Sequence, residues 1–205
     1  MSKRLNRKFA ISRRVGGALW GSEKDPYNKK NYPPGVQGST GYKKNTEYGT
    51  QLLAKQKLKK YYGDLREKQF REIYDEANRR KGDTGENLIA LLESRLDAFI
   101  YRSKFAPTIF SARQIVSHKH VTVNSRIVNI PSYRLKPGDT VEIKEGSRNI
   151  KIFAEAREKN DRSIPQYIKL DNNKLQSTYL KSPLLSEVPY PLQMEPNLVV
   201  EFYSR

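Results

Sequence analysis

Residues 93–143 read ESRLDAFIYRSKFAPTIFSARQIVSHKHVTVNSRIVNIPSYRLKPGDTVEI, and the chain is organised around them. Leu92, Leu96, Phe99 and Ile100 fall at i, i+4, i+7 and i+8, which lines one face of a helix and leaves Arg95 and Arg102 off it. Pro107 breaks the chain and Thr108 serves as an N-cap. Ile109, Ala112, Ile115 and Val116 then repeat the helical spacing, with Arg113 off the stripe. After His120 the period falls to two: Val121 and Val123 alternate with polar neighbours, Asn124-Ser125 makes a turn, and Arg126-Ile127-Val128 returns as a strand. Pro137-Gly138-Asp139 is a further turn, and Val141 and Ile143 make another short strand. Two helices and a small antiparallel sheet are the expected result.

Charge in this stretch is one-sided. Between Glu93 and Lys136, Arg95, Arg102, Lys104, Arg113, Lys119, Arg126, Arg134 and Lys136 stand against only Glu93 and Asp97 as acids, an electrostatic footprint suited to a phosphate backbone. The order of elements and the words SARQIVSHKHVTVNSRIVNIPSYRLKPGDTVEI resemble the S-four RNA-binding domain, which ribosomal, RNA-modifying and synthetase proteins share. Ser125 departs from that family, which usually has Gly after Asn in the hairpin turn; a type I′ turn would place this residue at positive φ, mildly unfavourable for serine, and a longer turn or a bulge is the alternative.

The 205 residues are 36% hydrophobic and 30% charged, room for one or two domains of modest core. Net charge is +17, and the first 60 residues hold 15 Lys/Arg against 3 Asp/Glu. Such an arm suits nucleic acid better than membrane, since no apolar run approaches the roughly 20 residues of a spanning helix. Met1-Ser2-Lys3-Arg4 leads into no hydrophobic signal, so a cytoplasmic protein, or one of a compartment descended from a cytosol, is expected. With no cysteine, and His118 and His120 as the only histidines, neither disulfides nor a zinc site is expected, and no cofactor is called for.

Up to residue 47, Gly16, Gly17, Gly21, Pro26, Pro33, Pro34, Gly35, Gly38 and Gly41 break the chain too often for regular structure, which predicts an extended basic arm. Trp20, Tyr27, Tyr32 and Tyr42 lie among its cations, as in a segment that stacks on RNA bases. A helix with Leu52, Leu53, Leu58 and Tyr61 on its apolar face follows, ringed by Lys55, Lys57, Lys59 and Lys60 and stopped by Gly63. Asp64 with Glu67 reads as a capping box for the next helix, which buries Phe70, Ile73, Tyr74 and Ala77 and ends on Arg79, Arg80 and Lys81. Asp83 and Glu86 repeat the cap spacing. Residues 149–157 read either as an extension of the sheet or as a short helix. Residues 167–170 alternate as a strand, residues 171–173 turn, and the prolines from Pro183 to Pro196 keep the chain extended. An apolar segment, residues 198–203, closes it and needs burial.

YGTQLLAKQKLKKYYG, EKQFREIYDEANRRKGDTGENLIALLESRLD and VPYPLQMEPNLVVEFYSR lie outside the shared domain. Together they resemble the bacterial S-four family of small-subunit ribosomal proteins, in its cysteine-free, zinc-free form. The resemblance implies an α+β protein: a basic arm over residues 1–47, a helical domain over 48–92 completed by 175–205, and an inserted RNA-binding domain over 93–174. It implies binding to the five-prime domain of small-subunit ribosomal RNA early in assembly, contact with ribosomal protein S-five and other small-subunit proteins, and a role in decoding accuracy. It also implies a place where messenger RNA enters the subunit, with Lys43 and Lys44 facing it; Gly41 and Tyr42 stand where some relatives carry further cations.

Candidate RNA-binding residues are Arg4, Arg7, Arg13, Arg14, Lys43 and Lys44 in the arm, and Lys55, Lys57, Lys59, Lys60, Arg79 and Arg80 on the helices. Arg95, Arg102, Lys104, Arg113, His118, Lys119, His120, Arg126 and Arg134 are the candidates in the inserted domain. An RNA-modifying enzyme or a stand-alone RNA chaperone with the same domain is the alternative. The roughly 50 residues after Ile150 carry no paired carboxylates or nucleophile-base arrangement, too little for a catalytic domain of about 100 residues, so a non-enzymatic protein is expected.

Overall fold

The computed structural model describes residues 8–40, 45–158, 162–171 and 175–205. Its architecture is α+β, with eight α-helices and one five-stranded antiparallel sheet among the described residues. The chain divides into two compact units, Met1–Gly85 with Tyr190–Arg205, and Glu86–Pro189.

In the first unit, residues 8–40 hold little regular structure: helix α1 (Ser12–Val15) and two 3₁₀ turns, Pro26–Asn28 and Val36–Ser39. They are nevertheless anchored. Leu19 and Trp20 are buried, and the indole Nε1 donates to the Tyr61 carbonyl at 3.1 Å. Trp20 is therefore a core residue and not a platform for RNA bases, a correction to the sequence expectation. Tyr42, with Arg4, Arg7, Lys43 and Lys44, lies outside the described residues.

Helix α2 (Glu47–Tyr61) starts where Thr46 Oγ1 accepts from the Gly49 amide at 3.2 Å, and Gly63 at φ 81° follows its end. Its buried face is Gln51, Ala54, Lys55, Leu58 and Tyr61, rotated from the expected stripe so that Leu52 and Leu53 are only half-buried. Helix α3 (Glu67–Arg79) buries Phe70, Ile73, Tyr74 and Ala77 as its spacing predicts. The predicted capping box fails: Arg66 holds the N-cap position without a side-chain cap, while Asp64, at φ 59°, binds Lys60 at 2.6 Å. Helix α4 (Thr84–Glu93) opens at the unit boundary, which puts Asp83 just ahead of its first residue.

The chain's last helix, Pro196–Ser204, completes the first unit. Val199 is fully buried, Glu201 accepts from Gln51 of α2 at 3.0 Å, and Tyr203 stacks on Tyr74 of α3 at 4.7 Å between ring centroids. The apolar terminal segment is thus an amphipathic helix laid on α2 and α3.

In the second unit the helical stripe of residues 92–100 is broken in two. Helix α5 (Leu96–Arg102) starts afresh after Glu93, because loop residues 131–135 capture the backbone between the helices. Leu135 N donates to the Ser94 carbonyl at 2.8 Å, Leu96 N to Tyr133 O at 2.8 Å, and Asp97 N to Pro131 O at 3.1 Å. Helix α6 (Ile109–Ser117) follows, capped as expected by Thr108 Oγ1 on the Ser111 amide at 3.1 Å.

Strands β1 (Val121–Val123), β2 (Arg126–Ile127) and β3 (Thr140–Ile143) form in the predicted places, antiparallel, with β1 between the other two and β2 only two residues long. Helix α7 (Lys151–Glu158), β4 (Ile168–Asp171) and β5 (Gln176–Tyr179) complete the unit, in the sheet order β2-β1-β3-β5-β4. Residues 149–157 thus include a helix. Residues 176–179, which the sequence expectation groups with the helical domain, pair with β3 and lie in the second unit. Val121, Val123, Val141, Ile143 and Tyr179 are buried in the core, where Phe99 of α5 meets the Tyr179 ring edge-on at 5.8 Å.

The β1–β2 turn has both central residues at positive φ, Asn124 at 47° and Ser125 at 65°. Asn124 stabilises it across the sheet: its Oδ1 accepts from Thr140 N at 2.9 Å and its Nδ2 donates to Asp139 Oδ1 at 2.8 Å. The two predicted turns, at 124–125 and 137–139, are therefore pinned to one another.

Candidate nucleic-acid interface

Cations can hold phosphates only where carboxylates of the same chain have not already taken them. In the second unit both expected acids lie in the core. Glu93 and Asp97 are 0% and 1% exposed, and each is paired. Arg102 donates to both Glu93 oxygens at 2.8–3.2 Å and to the Pro189 carbonyl at 3.0 Å, while Tyr167 Oη adds a bond to Glu93 at 2.9 Å. Arg95 grips Asp97 through two bonds at 2.8 and 3.0 Å, and Arg113 reaches Asp97 Oδ2 at 3.0 Å. Arg95 and Arg102 are therefore internal ion-pair partners, contrary to their expected place on a solvent face, and Arg113 is half-buried beside them.

The surface of this unit carries the remaining cations. Lys119 follows α6 in the left-handed region at φ 64°, exposed beside exposed His118. His120 turns inward, its Nδ1 2.9 Å from Ser147 Oγ. Arg126 stands exposed on β2, Lys136 and Lys144 are exposed, and Lys104 and Arg134 are half-buried. Lys144 and Lys151 were not singled out by sequence reasoning; nothing but their exposure marks them.

In the first unit the lysines of α2 are occupied. Lys55 and Lys59 share Glu67 at 2.8 and 3.0 Å, Lys57 meets Glu195 at 3.3 Å, and Lys60 meets Asp64. Their side chains are 7, 13, 12 and 21% exposed respectively, so this row is a set of internal ties and not an outward comb. Burial pushes the Glu67 carboxyl up, but hydrogen bonds from Lys55, Tyr203 and Lys59 outweigh it and lower the pKa from 4.5 to about 2. Tyr203 is raised, by burial first and by Glu67 second.

Arg13 braces the irregular segment, donating to the carbonyls of Tyr32 and Pro33 at 2.9 and 3.0 Å with its guanidinium over the Tyr32 ring. Arg14 and Arg79 are exposed, and so is Arg80, which pairs with Glu76 at 2.7 Å one turn back. Tyr27 and Tyr32 are half-buried. Arg162, which sequence reasoning passed over, is another brace: it donates to the Tyr101 and Ala106 carbonyls and stacks on Tyr101 at 4.0 Å.

His118 and His120 meet ring to edge at 6.1 Å, and among the described residues no group of three or more His, Cys, Asp or Glu could hold a metal ion. No described helix is long and apolar enough to cross a membrane. The arrangement offers charge, hydrogen-bond donors and shape.

Two family models match the chain in succession: one described as the Ribosomal protein S4/S9 N-terminal domain over residues 3–93, and the S4 domain over residues 94–141. The small ribosomal subunit protein uS4 of Bartonella bacilliformis is 57% identical to this chain, and those of Brucella anthropi and Brucella ovis are 58% identical, each match covering 100% of both chains. With an identity of this size over the full length of each relative, the protein belongs to the uS4 family of small ribosomal subunit proteins.

Proposed function

We propose that this chain is a structural, non-enzymatic constituent of the small ribosomal subunit, and acts in translation as a ribosomal-RNA-binding protein of the cytoplasm. The observation that carries the reading is the full-length identity to proteins named small ribosomal subunit protein uS4, across the helical unit and the S4 domain alike. The exposed cations supply a mechanism. Electrostatic capture of RNA comes first, and docking on backbone geometry follows, since the deep major groove of A-form RNA admits no side-chain readout.

At the finer level, the chain binds the five-prime domain of the small-subunit RNA and nucleates assembly of the subunit body. It also touches ribosomal protein S-five, contributes to decoding accuracy and lies where messenger RNA enters. Exposed Lys119, Arg126 and Lys136 in the second unit and exposed Arg14 and Arg79 in the first are the phosphate contacts that exposure favours, with half-buried Lys104 as a further one in the second unit. The last helix ties α2 to α3, so its role is to hold the first unit together.

The test is binding of the purified chain to small-subunit ribosomal RNA together with its co-sedimentation with mature small subunits. Both are expected, and a chain that binds the RNA but never sediments with subunits refutes the structural role.

A further inference from the structure

Between α6 and α7 the second unit holds a pocket of about 210 Å³, lined on one side by Ser111, Gln114, His118 and His120 and on another by Ile150 and Phe153. It is smaller than the roughly 300–1,000 Å³ of pockets for drug-sized ligands, and it combines apolar walls with a few convergent polar groups, the make-up of a ligand site. One of those polar groups is unsatisfied: the hydroxyl of Ser111 is buried without a hydrogen-bond partner. A serine inside a helix ordinarily bonds back to the carbonyl four residues before it, and a buried polar atom left unpaired asks for a reason. His120 is already oriented, Nδ1 engaged by Ser147, which leaves Nε2 as its remaining polar atom. Ile150, in the pocket wall, is 40% exposed, so an apolar surface is open to a flat ring there. Exposed Lys119 adjoins His118 in sequence, and exposed Lys151 adjoins Ile150.

We propose that this pocket receives a single unstacked nucleobase of the bound RNA, its ring against Ile150 and Phe153 and its edge hydrogen-bonded by Ser111, Gln114 and His118. The proposal rests on the RNA-binding reading above and adds to it a site that reads a base and not the backbone. A splayed base is the fitting occupant: flat, apolar on its faces and polar on its rim, as the pocket is, and tethered to two phosphates that Lys119 and Lys151 can take.

The test uses the full-length Gln114→Ala/His118→Ala double variant, since both side chains are exposed and the fold does not depend on them. Purified small-subunit ribosomal RNA is the probe. The expected result is about tenfold weaker binding with an unchanged dependence of log affinity on log salt, because base contacts and not phosphate contacts are lost. Base-specific chemical probing should show one unpaired base, protected by the wild-type protein, becoming reactive. Wild-type affinity with an unaltered probing pattern overturns the proposal, as does a fall in salt slope like that of Lys119→Ala, which marks a phosphate contact. Wild-type protein that fails to bind the RNA at all refutes the underlying reading instead, so the two failures are told apart.

Discussion

Glu67 in the first unit and Glu93 in the second do similar work in different surroundings. Glu67 gathers Lys55, Lys59 and the hydroxyl of Tyr203 while remaining half in solvent; Glu93 gathers Arg102 and the hydroxyl of Tyr167 with no exposure. Each joins segments distant in sequence. In water-exposed pairs the Coulomb gain is screened and side-chain ordering cancels much of it. In a dry pair, removing one partner leaves an uncompensated charge whose desolvation nothing repays. The first unit therefore distributes its cations over ties that can each be lost, whereas the second concentrates its stability on pairs that cannot.

The largest effect should come from Glu93→Gln, which strands Arg102 and costs on the order of 3–5 kcal/mol in the second unit. Glu67→Gln should cost about 1 kcal/mol or less in the first. The first unit holds the chain's single tryptophan, Trp20, so indole fluorescence in urea follows that unit, while amide exchange of β1 and β3 follows the other. Equal losses for the two variants break the comparison, because exposure then does not decide the worth of these pairs.

A smaller effect sharpens it on the functional side. Lys119→Ala and Arg126→Ala should each lower the slope of log affinity for RNA against log salt by about 0.7–0.9, since each cation lost is one phosphate no longer neutralised. Lys57→Ala and Lys59→Ala should leave that slope unchanged, because their ammonium groups are spent on Glu195 and Glu67. A slope that falls equally for all four means that RNA pulls the α2 lysines off their carboxylates.

The elements whose determinants are local were legible in the sequence. The stripes of α3 and α6, the Thr108 cap and the alternation in β1 and β3 all lie within a few residues of what they specify. The α4–α5 break was not, since the groups that capture its backbone, Leu135 N and the Tyr133 and Pro131 carbonyls, arrive from a distant loop. Strand β5 was missed because Gln176-Ser177-Thr178-Tyr179 has one large apolar residue and no hydrophobic alternation. For the interface, sequence gave the sign of the charge but not its availability. Lys57 is spoken for by Glu195 and Arg102 by Glu93, pairings that only the folded chain brings about.

Acid should separate the units again, more gently. The Glu67 carboxyl falls from 4.5 to about 2 on folding, so its contribution is complete above about 4.5 and is lost as pH falls through the folded value near 2. With its half-exposure, that contribution is about 1 kcal/mol after screening. The urea midpoint read by Trp20 fluorescence should therefore decline between pH 5 and 2, and Glu67→Gln should flatten part of that decline. A decline identical in the variant assigns the acid sensitivity to other carboxylates.

The smallest effect is a gain. Ser125 holds φ 65° in the two-residue turn between β1 and β2, a left-handed conformation that costs a residue with a Cβ about 1–2 kcal/mol and costs glycine almost nothing. Ser125→Gly removes that strain but frees the unfolded chain, which offsets roughly 0.4–1 kcal/mol of the benefit. The balance is a stabilisation of about 0.5 kcal/mol, or about 3 °C in the melting of a unit of this size. The turn should not move, because Asn124 remains tied to Thr140 N and Asp139, so Arg126 keeps its place and RNA affinity its value. Calorimetry and RNA titration on one variant therefore test two statements. A melting temperature that drops shows that the serine turn is unstrained, and a changed affinity shows that the turn itself, and not only Arg126 beside it, touches the RNA.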